Sequence, residues 1–216
     1  MEVVKVYPPH LYSIRYEGDK MNIYKLISAN LTDIDYLENF FAEFKENISD
    51  FLIESTGFPR EEVEEYIALV NDKMIDINEE IEQLCRNIIS GKVENFGNLF
   101  QPHSPLDIRN MPEGGGISKK YTEPYLPVKC YGSGEHPSLV RIYAIELSLD
   151  CYIIIYGGIK IVKDTNVSPT FDDKGRKTFL EREIKKRVCA VCEFLAEKGI
   201  YDKEGLLQYM EEDHED

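Results

Sequence analysis

The chain has 216 residues, a formal net charge of -15 and 43% hydrophobic residues, enough apolar content to bury a core within one domain. No apolar run approaches the ~20 residues that cross a bilayer, and the opening MEVVKVYPPH lacks the basic-then-apolar order of a secretory signal. Cys85, Cys130, Cys151, Cys189 and Cys192 are odd in number and scattered, which suits reduced thiols rather than a disulfide framework and makes the cytoplasm the expected compartment.

Residues 3–7 and 11–16 have strand character and are interrupted by Pro8-Pro9, so one broken strand is expected there. A short helix follows at residues 23–29. Thr32-x-x-Asp35 resembles a capping box. Behind it Ile34, Leu37, Phe41, Phe44, Ile48 and Phe51 recur at spacings of three and four, which predicts a helix of about five turns. Gly57 and Pro59 break that pattern and restart it, with Glu61, Glu62, Glu64 and Glu65 favoured by the helix dipole.

The next seam runs through Val63, Ile67, Val70, Met74, Ile77, Ile81, Leu84 and Ile88. Two neighbouring seams on a short connection predict an antiparallel helical hairpin over residues 33–90, buried against a sheet, with a coiled-coil homodimer as the alternative. From residue 91 to 137 periodicity gives way to proline, glycine and asparagine, which predicts a long irregular loop.

Residues 138–165 read as an antiparallel β-meander. Strand formers alternate around Arg141, a turn falls at 148–150, a second run ends at Tyr156, and Gly157-Gly158 opens a third run carrying Lys160 and Lys163. Such a sheet can cover its core with one face and present the arginine and lysines to an anion with the other. A final helix over residues 175–198 places Leu180, Ile184, Val188, Val191, Cys192 and Leu195 on one stripe and stops near Gly199, leaving an acidic tail at 201–216. The expected fold is a single α+β domain over residues 1–200, its meander joined by the N-terminal strand and packed against the helical hairpin and the C-terminal helix.

Charge is unevenly spread. Residues 1–100 hold 9 Lys/Arg against 20 Asp/Glu, and residues 101–200 hold 15 against 13. Lys174, Arg176, Lys177, Lys185, Lys186 and Arg187 cluster near the meander and last helix. They read either as an RNA-facing patch or as a solvated helix face. Cys189-x-x-Cys192 lies within a helical stripe without a second close pair, and Gly114-Gly115-Gly116 lacks the Gly-Lys-Ser/Thr of a phosphate loop. No metal and no cofactor is assigned.

The order of strand, two helices, three-stranded meander and helix resembles the RelE/ParE/HigB toxin superfamily of toxin-antitoxin modules. The likeness is carried by Leu11-Tyr12-Ser13-Ile14-Arg15-Tyr16, by the arginine-bearing run from Leu139 through Arg141 to Ile145, and by Gly157-Gly158-Ile159-Lys160 with Lys163 and Thr165. It implies a messenger RNA endonuclease in which Arg141, Lys160 and Lys163 stabilise charge developing on the scissile phosphate. Tyr143 or Tyr156 completes the site, with Tyr143 preferred because it lies two residues from Arg141 on the same strand face. It also implies a cognate antitoxin as protein partner and the messenger RNA on the ribosome as substrate. Two other readings stand beside it: a non-catalytic protein-binding module on the same scaffold, and a helical-hairpin oligomerisation module.

Overall fold

The computed structural model describes residues 1–44, 63–92, 96–102, 125–130, 139–161, 168–172 and 174–212. Its centre is a six-stranded mixed sheet with helices on both sides, an α+β architecture.

The N-terminal segment forms two strands, not one broken strand. β1 (Glu2–Tyr7) and β2 (Leu11–Arg15) run antiparallel about the Pro8-Pro9 turn, because proline cannot donate to a ladder and forces the chain to reverse. β2 then lies parallel to β6 (Cys151–Ile159), pairing Leu11 with Tyr152 and Ser13 with Ile154. β5 (Val140–Ser148) is antiparallel to β6, β4 (Leu126–Cys130) to β5, and the edge strand β3 (Phe100–Pro102) to β4. The N-terminal strands thus join an antiparallel meander, as expected.

The meander's third strand is not where the sequence suggested. Gly157 and Gly158 do not turn the chain; they lie inside β6, opposite Ile142 and Arg141. The third antiparallel member is β4, within the segment 91–137 expected to be irregular, where a short 3-10 turn (Phe96–Asn98) and β3 also lie. LPVKC is too short to announce itself, and it becomes a strand by pairing with β5, which buries Val128 and Cys130.

Helix α1 (Ile23–Thr32) is capped by Asn22, whose side chain accepts from Lys25 N at 2.9 Å. Helix α2 (Ile34–Glu43) is capped by Asp33, which accepts from Asp35 N and Tyr36 N. The expected Thr32–Asp35 box is therefore not used, since Thr32 Oγ1 donates back to Ser28 O within α1. Helix α3 (Val63–Ile89) packs along α1 and α2 and touches the sheet chiefly at β5. Its register on α1 is pinned by Tyr24 Oη donating to Asn78 Oδ1 at 2.8 Å and Asn78 Nδ2 donating to Ser28 Oγ at 2.9 Å. The expected seams are core at Leu37, Phe41 and Phe44 on one side and at Val70, Met74, Ile77 and Ile81 on the other, whereas Ile34 at the start of the first seam is 59% exposed and Leu84 and Ile88 at the end of the second are half-buried. Ile48 and Phe51 lie outside the described residues.

A small hairpin of β7 (Pro169–Phe171) and β8 (Lys177–Phe179) leads into α4 (Leu180–Glu197), so the helix starts at 180 and not at 175. The Asp172 carboxylate holds the turn by accepting from Lys174 N, Arg176 N and Arg176 Nε. Gly199 ends α4 at φ +70°, and Ile200 N closes onto Leu195 O at 2.8 Å. The tail expected from residue 201 is instead a packed helix, α5 (Lys203–Glu212), since Leu206 and Met210 fall four apart on its buried face. Residues 213–216 lie outside the described residues.

Candidate functional site

Gly157 and Gly158 are adjacent on β6 and so face opposite sides of the sheet. A Cβ on Gly157 would meet Ile27 of α1, whereas one on Gly158 would approach Leu180 of α4. Helices α1 and α4 therefore sandwich this end of β6. The β2–β6 ladder ends at Ser13 and Ile154, which leaves the rest of β6 without β2 beside it. A cleft of about 480 Å³ opens along that edge.

One wall of the cleft is α1, through Ile23, Leu26, Ile27, Asn30 and Leu31, with Tyr36 of α2 at its end. The floor is Tyr156, Gly157 and Gly158. The opposite wall is the β7–β8 hairpin, through Thr170, Phe171, Asp172 and Gly175, and Arg187 of α4 closes it.

Arg187 is held by aromatic faces. Its guanidinium carbon lies 4.9 Å from the centroid of Tyr16 and 5.2 Å from that of Tyr156, distances at which ring quadrupoles attract a cation. Burial pushes the Tyr156 phenol up to about 12, against the opposing influence of its hydrogen bond with Thr170 and of the Arg187 charge. The ring is therefore a neutral phenol at physiological pH. Asp172 is held down at about 2 by its hydrogen bonds to Arg176 and stays a carboxylate.

The residues expected to carry phosphate chemistry are placed differently. Arg141 and Tyr143 do share a sheet face, opposite Gly158 and Tyr156, with the Tyr143 and Tyr156 rings stacked at 6.4 Å. Both are buried, however, at 8% and 2% exposure, and Arg141 Nη1 donates to Val140 O at 2.7 Å. On this face Gly158, paired with Arg141, looks towards Leu180 of α4. Lys160 is half-buried just past β6, its amide donating to Leu139 O. Lys163 lies outside the described residues.

The candidate RNA patch is divided among three elements. Lys174 and Arg176 sit in the β7–β8 turn, Lys177 on β8, and Lys185, Lys186 and Arg187 on α4. Arg176 pairs with Asp172 at 2.6 Å and Lys177 with Glu43 of α2 at 2.5 Å. Lys185 and Lys186 pair with Glu181 and Glu183 at 3.2 and 3.7 Å. Cys189 and Cys192 are thiols of α4 outside any disulfide, half-buried and buried respectively. No group of side chains able to hold a metal occurs among the described residues, and no described helix is long and apolar enough to cross a membrane.

A second polar cluster escaped the sequence reading. His10 Nδ1 lies 2.5 Å from Asp150 Oδ2, its ring stacks on Phe96, and Asp150 Oδ1 accepts from Phe96 N at 2.8 Å. Asp150 has φ +64° at the β5–β6 turn, so the cluster ties that turn to the β1–β2 turn and the segment before β3. The LSLD turn signal marks its position, but nothing local pairs it with His10.

No family model, curated protein or solved structure matches the chain.

Proposed function

We propose that this chain is a non-catalytic, RelE-like scaffold that binds a protein partner, in preference to a messenger RNA endonuclease. The observation that carries this reading is the neutralisation of the cationic cluster by the chain's own acids: Arg176, Lys177, Lys185 and Lys186 each have a carboxylate partner. RNA affinity grows with the number of phosphates neutralised, and cations already paired at home lose part of that gain. Burial of Arg141 and Tyr143 supports the same reading, because a transition-state cation must reach the scissile phosphate. The exposed residues of α3 include Glu64, Glu65, Asp72, Asp76, Glu79 and Glu82, a surface suited to a partner with positive charge and not to a polyanion.

The test is induction in bacteria with growth, transcript integrity and RNA binding at low salt measured together, alongside the mass of the purified protein with its co-expressed neighbour-encoded proteins. The expected result is no growth arrest, no cleavage, no RNA binding, and a defined stoichiometric complex. Growth arrest with cleavage at ribosome-occupied codons, relieved by Arg141→Ala in a folded protein, would restore the toxin reading with a cognate antitoxin as partner.

A further inference from the structure

We propose that the cleft between α1 and the β7–β8 hairpin binds a small uncharged aromatic molecule bearing a hydrogen-bond acceptor such as a ketone. This site stands independently of the partner-binding reading. A volume of about 480 Å³ falls in the range of small-molecule sites, which join apolar walls to a few placed polar groups. Ile27 fills the space above Gly157, so side chains, and not that stretch of main chain, supply the contacts. Leu26, Tyr36 and Phe171 line the cleft and are only half-buried, which leaves apolar surface that a guest would take out of water.

Three rings favour an aromatic guest. Phe171 packs on Phe44 at 4.9 Å and edge-on against Phe40 at 6.0 Å, and Tyr36 stacks on Phe40 at 6.4 Å, so this wall is the outer side of an aromatic cluster. Tyr156 supplies the third ring. A further ring placed here extends the cluster through the offset or edge-to-face contacts that aromatic pairs prefer.

The two charged side chains of the lining, Asp172 and Arg187, are already engaged within the chain. The Arg187 guanidinium lies against the faces of Tyr16 and Tyr156, and the Asp172 carboxylate is held by Arg176 and by Lys174 N. A charged guest would give up hydration without gaining a counter-ion of its own. The polar contact left to a guest is hydroxylic. Burial keeps the Tyr156 phenol neutral, and its hydrogen bond with Thr170 counters that rise in pKa, the sign expected when Thr170 donates to the phenol oxygen. The phenol proton then serves an acceptor on the guest.

The probes are acetophenone, benzoate, cyclohexyl methyl ketone and ethylbenzene, each titrated into the full chain by amide-resolved NMR. They are similar in size and differ in charge, ring or acceptor. Acetophenone is expected to bind and to shift the amides of Leu31, Thr170 and Phe171. It should exceed benzoate in affinity by about tenfold or more, since the carboxylate would be buried unpaired. It should exceed cyclohexyl methyl ketone by about two- to tenfold, the scale of an aromatic pair. Tyr156→Phe keeps the ring and removes the donor, so it should weaken acetophenone by about two- to tenfold, the scale of one hydrogen bond, and leave ethylbenzene unchanged. Should that variant fail to fold, the comparisons on the wild-type chain decide alone. Benzoate or cyclohexyl methyl ketone binding as tightly as acetophenone, shifts confined to residues outside the cleft, or no binding of acetophenone overturns the proposal. A Tyr156→Phe effect that is absent, or equal for acetophenone and ethylbenzene, also overturns it.

Discussion

Replacing Gly157 by alanine tests the packing of α1 on β6 directly. The added Cβ would lie 2.6 Å from Ile27 Cδ1 and 3.0 Å from both Cγ atoms, where carbon pairs prefer about 3.5–4.0 Å. Ile27 is 5% exposed and, as a β-branched residue in a helix, has essentially one χ1 rotamer, so it cannot swing aside. Either α1 or β6 must shift. Overpacking of this kind costs about 1–3 kcal/mol, and for a chain of this size each kcal/mol lowers Tm by about 2–4 °C. Gly158→Ala is the internal control: its nearest neighbour, Leu180 Cδ1, is 3.9 Å away, so the change should be neutral or a gain of up to about 1 kcal/mol from the stiffer unfolded chain. Ile27→Ala alone should cost about 2–5 kcal/mol through the cavity it leaves. The double variant Gly157→Ala/Ile27→Ala should be more stable than the sum of the singles by about 1–3 kcal/mol, because the alanine methyl then occupies the vacated space. Urea unfolding of the four variants measures the cycle. Equal effects at 157 and 158, or strict additivity of Gly157→Ala with Ile27→Ala, would refute the contact.

Ile77, fully buried on α3, should not tolerate a charge: Ile77→Glu is expected to cost about 3 kcal/mol or more by burying an unpaired carboxylate, and an unchanged urea midpoint would show that this seam is not core. Alkaline stability follows from the tyrosines. Burial raises Tyr12, Tyr152 and Tyr156 from the ordinary 10 to about 12, so between those values the unfolded chain holds fewer protons than the native one. Stability is then fully present below about pH 10 and is lost as pH rises towards 12. Tyrosinate absorbance and circular dichroism should change together in that window; ionisation of all 14 tyrosines near pH 10 with the fold intact would refute it.

The sequence by itself determined what depends on local period and local backbone. The stripes Leu37–Phe41–Phe44, Val70–Met74–Ile77–Ile81 and Leu180–Ile184–Val188–Val191–Leu195 are buried where the 3.6-residue repeat put them, and Gly199 stops α4 because its positive φ costs glycine nothing. The runs around Arg141 and before Tyr156 became β5 and β6 because their branched and aromatic residues suit a pleated strand, here buried on both faces.

Only the tertiary structure decided which residues a segment meets. A glycine pair reads locally as a turn, but β6 passes straight through Gly157-Gly158 because Ile27 occupies the space a side chain would take. LPVKC became β4 only by finding β5, and Leu206 and Met210 turned an acidic tail into a packed helix. The cations show the same division: their clustering is written in the sequence, yet the pairing of Lys177 with Glu43, the stacking of Arg187 between Tyr16 and Tyr156, and the burial of Arg141 are contacts between distant segments. Charge and periodicity are properties of neighbours along the chain. Burial and partnership are set by packing between segments far apart in sequence, and they govern what a charged side chain can do.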